Sequence, residues 1–94
     1  MVEANIYIFG EIIESQDESV EAFGAVNLKT VMQSWEAQKT AKKVIVHINS
    51  PGGDVDEGFA IHDYIRSLGV PVETRVTGFC GSISTIIEIG RAHV

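Results

Sequence analysis

Ile48-Asn49-Ser50-Pro51-Gly52-Gly53-Asp54-Val55 decides how the chain is read, because it joins a strand to a helix through a turn with unusual backbone freedom. Before it runs Val44-Ile45-Val46-His47-Ile48, short, β-branched and almost unbroken in its apolar character. That pattern suits a parallel strand buried on both faces. After it, Ile61, Tyr64, Ile65 and Leu68 recur at helical spacing and form one apolar face. Pro51 fixes φ and removes a donor, while Gly52 and Gly53 admit conformations closed to other residues. Such a turn points backbone N–H groups outward near a helix N-terminus, where they hold developing negative charge. A plain β-to-α connection and a phosphate cradle compete with that reading, although neither a Walker pattern nor GxGxxG is present. An oxyanion hole also needs a nucleophile downstream, and Gly78-Phe79-Cys80-Gly81-Ser82-Ile83-Ser84 offers one.

Working outward, Asn5-Ile6-Tyr7-Ile8-Phe9-Gly10 reads as a first strand closed by a glycine. Residues 11–24 carry Glu11, Glu14, Asp17, Glu18 and Glu21 and read as a solvated loop. Asn27 suits an N-cap, and Leu28, Val31, Met32 and Trp35 mark the apolar stripe of a helix ending near Lys39. Met32 and Trp35 are expected in the core or a subunit interface. Lys39, Lys42 and Lys43 suit the C-terminal end of that helix dipole. Leu68-Gly69-Val70-Pro71 stops the second helix, Val72 to Val76 forms a short strand, residues 77–81 turn, and a third helix starts at Ser82. Alternating strands and helices imply a parallel sheet with right-handed crossovers. A serine at a strand-to-helix corner exposes its Oγ beside free helix-start N–H groups.

The pair of motifs NSPGGDV and GFCGSIS, with GFAIHDYI between them, resembles the ClpP family of serine peptidases over about residues 6–87. The long acidic stretch before the first helix favours the family's phage and prophage branch. The resemblance implies an α/β fold of the ClpP/crotonase-like kind, built from repeated β-β-α or βαβ units around a mostly parallel sheet. It implies Ser82 as nucleophile, within G-x-x-[AG]-S-x, and an oxyanion hole formed by the N–H groups of Gly53 and Ile83. Ser50, Pro51 and Gly52 would support the turn. The family's catalytic His and Asp lie further downstream than this chain extends. The implied activity is hydrolysis of peptide bonds in unfolded or phage structural proteins, by homo-oligomeric rings usually fed by an ATP-driven unfoldase. No metal or cofactor is expected, and ATP would belong to the partner.

Other groups have plainer roles. His47 sits mid-strand and reads as a satisfied core histidine, and His62 as a surface or interface residue on the second helix. Asp54, Asp56 and Glu57 are favourable charges at that helix's N-terminus. Asp63 neighbours His62, but adjacent helix residues point apart, which argues against a local dyad. Cys80 precedes the corner and reads as a packed small hydrophobe. Ser84 competes with Ser82, and the motif spacing favours Ser82.

The chain has 94 residues, a net charge of -6 and a pI near 4.8, which bound it to one small domain and disfavour nucleic acid or anionic membrane as partners. One cysteine excludes an internal disulfide, and no signal peptide or long apolar run is seen. A cytoplasmic location is expected. Ile89-Gly90-Arg91-Ala92-His93-Val94 breaks the apolar pattern and reads as the translation of a common sequencing adapter, ATC GGA AGA GCA CAC GTC, whose preceding bases AG complete the codon for Glu88. On that reading residues 1–88 are the N-terminal part of a ClpP-like domain and residues 89–94 a non-native tail, so the chain alone is expected to be inactive.

Three alternatives belong to other classes. A signal-peptide-peptidase-like enzyme shares the SPGG region but uses a Ser-Lys dyad and a membrane anchor. A crotonase-type acyl-CoA enzyme shares the fold and oxyanion logic, and Ser82→Ala would leave its activity intact. A non-catalytic ring subunit would resist acylation by a fluorophosphonate.

Overall fold

The computed structural model describes residues 2–14 and 25–82. Strand β1 is Glu3–Phe9, helix α1 Leu28–Glu36, strand β2 Lys43–Ser50, helix α2 Val55–Arg66 and strand β3 Val72–Cys80. The strands form one parallel sheet in the order β1-β2-β3, giving the mixed α/β architecture expected. The third helix expected from Ser82 lies outside the described residues, as does the tail at 89–94.

Period-two alternation sends Ala4, Ile6 and Ile8 of β1 to one face, in register with Val44, Val46 and Ile48 of β2. Val72 of β3 stands beside Val44 on that face. Both helices cover this side: Val31 and Trp35 of α1 and Ile61 and Ile65 of α2 join the strand residues in one core. Truncating a fully buried member such as Ile61 to alanine costs about 2–5 kcal/mol, since the cavity closes only in part.

The opposite face differs from the expectation that β2 is buried on both sides. Ile45 is buried, but His47 is only half-buried, and Tyr7 and Phe9 of β1 remain exposed. Alternation places His47 on the side that neither α1 nor α2 covers. Its Nε2 lies 2.9 Å from Asn5 Oδ1, within hydrogen-bond distance, and its ring stacks on Tyr7 at 4.7 Å between centroids. His47 is therefore satisfied, as expected, but by an open-face cluster instead of an apolar core.

Helix α1 begins as foreseen. Asn27 caps it, its side chain accepting from Thr30 N while Thr30 Oγ1 accepts from Asn27 N, a reciprocal arrangement whose loss costs about 1 kcal/mol. It ends at Glu36, short of Lys39, because Gln38 turns away to β1. The Gln38 carboxamide accepts from Asn5 N at 2.8 Å and donates to Asn5 O at 2.9 Å, covering polar groups on the outer edge of the sheet. The lysines are thus not a C-terminal dipole set: Lys39 pairs loosely with Glu36, and Lys43 opens β2 and reaches Glu73. β3 also runs further than Val76, through Cys80, because a bulge opposite Asn49 lets pairing resume beyond it.

Candidate active site

The Ser50–Asp54 turn is held from two directions. Ser50 is fully buried, and its Oγ accepts from Gly52 N at 3.0 Å, closing a side-chain-capped turn around Pro51. From the other side comes the continuation of β1. Gly10 N donates to Asn49 O, Ile12 N donates to Gly52 O at 2.9 Å, and Asp54 N donates to Ile12 O at 2.8 Å. The strap is anchored in turn by Val26, which donates to Glu11 O and accepts from Ile13 N.

This clamp has a directional consequence for Gly53. Ile12 and Gly53 form a parallel bridge, whose hydrogen bonds use the flanking peptide groups, Gly52 O and Asp54 N. Successive peptide groups along an extended segment face opposite sides, so Gly53 turns its own N–H and C=O away from Ile12. Only glycine fits there. Its φ is +147°, and a Cβ at that position would lie 2.1 Å from Ile12 O.

Ser82 stands at the same end of the sheet. Ser50 pairs with Cys80 across β2 and β3, and Gly81 N donates to Ser50 O at 3.0 Å. The SPGG turn and Ser82 thus leave neighbouring parallel strands at their C-terminal ends. Ser82 is exposed and has φ 52°, making it the one non-glycine residue at positive φ among those described. A non-glycine residue there stores strain, as at the sharp strand-to-helix turns that present a nucleophilic serine. Ile83 and Ser84 lie outside the described residues.

Asp54 caps α2, its Oδ1 accepting from Glu57 N at 2.8 Å, and Asp56 lies in the first turn as foreseen. Glu57 does something the dipole reading missed. Its Oε2 accepts from Leu28 N at 2.6 Å, so the carboxylate serves the N-terminus of α1 and ties the two helices together. The expectation that His62 and Asp63 stay apart is also corrected: His62 Nδ1 lies 2.9 Å from Asp63 Oδ1. Both polar atoms sit close to the main chain, so short neighbouring side chains meet although their Cβ atoms diverge. His47 pairs with Asn5 across β1 and β2 and His62 with its neighbour Asp63, so both described imidazoles are engaged. Cys80 packs partly buried against the core, in keeping with its reading as a small hydrophobe.

Two contributors escaped the sequence. Ile12, buried at 1% exposure, was hidden in an acidic stretch, where the Ile12-Ile13 pair was the available signal. Asn49 is the other: its Oδ1 accepts from Phe79 N at 3.0 Å across the β3 bulge. No helix among the described residues is long and apolar enough to cross a membrane.

Comparison with known proteins bears on the family and the fold. A family model described as Clp protease matches residues 5–93. The ATP-dependent Clp protease proteolytic subunit 1 of Chlamydia pneumoniae is 43% identical over 54 residues, covering 57% of this chain and 28% of the relative. Subunit 2 of Treponema denticola is 38% identical over 82 residues, covering 87% and 37%. Among solved structures, a ClpP1 mutant from Listeria monocytogenes superimposes with a TM-score of 0.66 at 27% identity, covering 92% of this chain and 45% of that one. The ClpP protease catalytic domain of Plasmodium falciparum gives a TM-score of 0.71 at 21% identity, covering 95% and 46%, and bears on the fold alone. The chain spans about a third of the length of the curated relatives it matches and under half of the solved ones.

Proposed function

The chain belongs to the Clp protease family, and from that premise we propose that it forms part of a serine endopeptidase in which Ser82 is the nucleophile and Gly53 and Ile83 supply the oxyanion N–H groups. One observation carries the reading: the Ile12 bridge turns the Gly53 N–H away from its own strap, at the sheet end where Ser82 leaves β3. In the reaction, Ser82 Oγ attacks the scissile carbonyl while a base takes its proton. The carbonyl oxygen becomes an oxyanion held by the two N–H groups; its collapse breaks the C–N bond as the base returns the proton to the departing amine, and water then hydrolyses the acyl-enzyme with the base's help. The base and its orienting acid are proposed to come from outside these 94 residues. Donors fixed in advance stabilise developing charge without reorganising, which is why a clamped glycine suits the task.

The substrate class is unfolded polypeptide, with phage structural proteins if the protein belongs to the phage branch. Ring assembly in the cytoplasm, an ATP-driven unfoldase as partner and no cofactor of its own complete the reading. The test is acylation of the full-length protein by a fluorophosphonate, with the modified residue located by mass spectrometry and hydrolysis of an unfolded polypeptide measured alongside. Modification at Ser82 with matching loss of hydrolysis is expected. A protein that assembles but is neither acylated nor active would be a non-catalytic ring subunit.

A further inference from the structure

The register of β2 and β3 changes where it matters for Ser82. Pairing runs Val44↔Val72 through Ile48↔Val76, then resumes at Ser50↔Cys80. Two residues of β2 therefore span four of β3, and the excess is absorbed opposite Asn49. Without it, Ser50 would face Gly78, and Ser82 would stand two residues further along, a displacement of about 7 Å at the strand rise of ~3.3 Å per residue. Bulges next to functional sites re-aim the downstream chain in this way.

The Asn49 side chain occupies this bulge. Its Oδ1 accepts from Phe79 N at 3.0 Å, satisfying a main-chain donor that lacks a ladder partner there. The donor also settles which carboxamide atom is oxygen. Gly78 makes room for the group: a Cβ at that position would lie 2.7 Å from Asn49 Oδ1 and 2.8 Å from its Cγ. Three residues on, Gly81 N is fixed to Ser50 O, and Ser82 comes next.

We propose that Asn49 is a positioning residue for Ser82: its carboxamide fills the β3 bulge over Gly78 and holds Phe79 N–H, setting where β3 delivers the nucleophile. The proposal rests on Ser82 being that nucleophile. Asn49 touches no reacting atom, and its effect passes through the β3 backbone. A misplacement of about 1 Å at a reacting group is enough to slow a reaction by 10²-fold.

The experiment measures second-order acylation by a fluorophosphonate, kcat and KM for peptide hydrolysis, and thermal unfolding, all in the full-length protein. Asn49→Ala is expected to slow acylation and kcat by about 10- to 100-fold, with KM little changed and a cooperative melt retained. Asn49→Asp keeps an oxygen acceptor and should recover most of the lost rate. Gly78→Ala forces the carboxamide out and should slow acylation in the same way. Because both substitutions act on one contact, Asn49→Ala with Gly78→Ala should be no slower than Asn49→Ala alone, a non-additivity that independent effects do not give. A folded Asn49→Ala protein acylated within about twofold of wild type overturns the proposal, since the misplacement argument requires a larger loss. If Asn49→Ala does not fold, Gly78→Ala decides, and a wild-type acylation rate overturns it equally. Ser82→Ala is the separate control: retained acylation or hydrolysis there removes the Ser82 assignment itself, and the positioning role with it.

Discussion

Gly53 faces Ile12 so closely that a Cβ on the glycine would lie 2.1 Å from the Ile12 carbonyl oxygen. The same contact that excludes a side chain also orients the peptide, because Ile12 bonds to the groups on either side of Gly53 and leaves Gly53 N–H directed elsewhere. Steric exclusion and donor orientation thus have one cause.

Gly53→Ala should therefore damage the protein twice. Strained φ and the clash with Ile12 should lower stability by roughly 1–3 kcal/mol, while the displaced N–H should lower kcat by about 10²–10³. Denaturant unfolding and peptide hydrolysis in the full-length protein measure the two separately. A destabilised but fully active variant would remove Gly53 from the oxyanion hole.

Ser82→Ala should abolish both fluorophosphonate acylation and hydrolysis, whereas Ser84→Ala should have a mild effect. Equal losses in the two variants would leave the nucleophile unassigned. Mass spectrometry of the labelled peptide distinguishes them directly.

Glu57→Ala should destabilise the fold by about 1.5–3 kcal/mol, the range for a hydrogen bond to a charged group, because Leu28 N loses a carboxylate partner at 2.6 Å. Glu57→Gln keeps an oxygen acceptor and should cost less. Urea unfolding of the three proteins checks the order. Equal stability of the alanine variant and wild type would mean that water replaces the carboxylate without cost.

Glu73 sets a pH dependence on the acid side. Hydrogen bonds from Lys43, then from Arg75, hold its carboxyl down to about 2, from an ordinary value of 4.5. A carboxyl lowered on folding adds stability that is present above its unfolded value and lost as pH falls through the folded one. The stability gap between wild type and Glu73→Gln should thus shrink as pH drops from 4.5 toward 2. Arg75 is exposed and Lys43 and Glu73 are solvent-accessible, so added salt should shrink the gap as well. Melting curves across that range provide the check, and a gap independent of pH would discount the ion pairs.

The 94-residue chain expressed by itself should hydrolyse no peptide and should self-associate. Tyr7 and Phe9 are 53% and 41% exposed on the sheet face opposite α1 and α2, and parallel sheets are stable with both faces covered. Light scattering against concentration, with fluorophosphonate labelling in parallel, tests both statements. A monodisperse chain that labels rapidly at Ser82 would show that it carries its own base.

Local patterns in the sequence determined the elements and their order. The β-branched run Val44–Ile48, the Ile61/Ile65 spacing, the Asn27 cap and the Pro51-Gly52-Gly53 turn each act within a few residues, so spacing alone reveals them. The motif around Ser82 was legible for the same reason, as was its succession to the SPGG turn. Tertiary structure decided which partners meet across long stretches of chain. Ile12 clamping Gly53, Glu57 capping the other helix, and Asn49 filling the space above Gly78 join residues 29 to 41 positions apart. None of these pairs has a periodic signature, because each depends on strand register and on the path of the backbone through a turn. His47 marks the boundary between the two: its strand was readable, but the face it occupies was settled only when both helices packed on the other side.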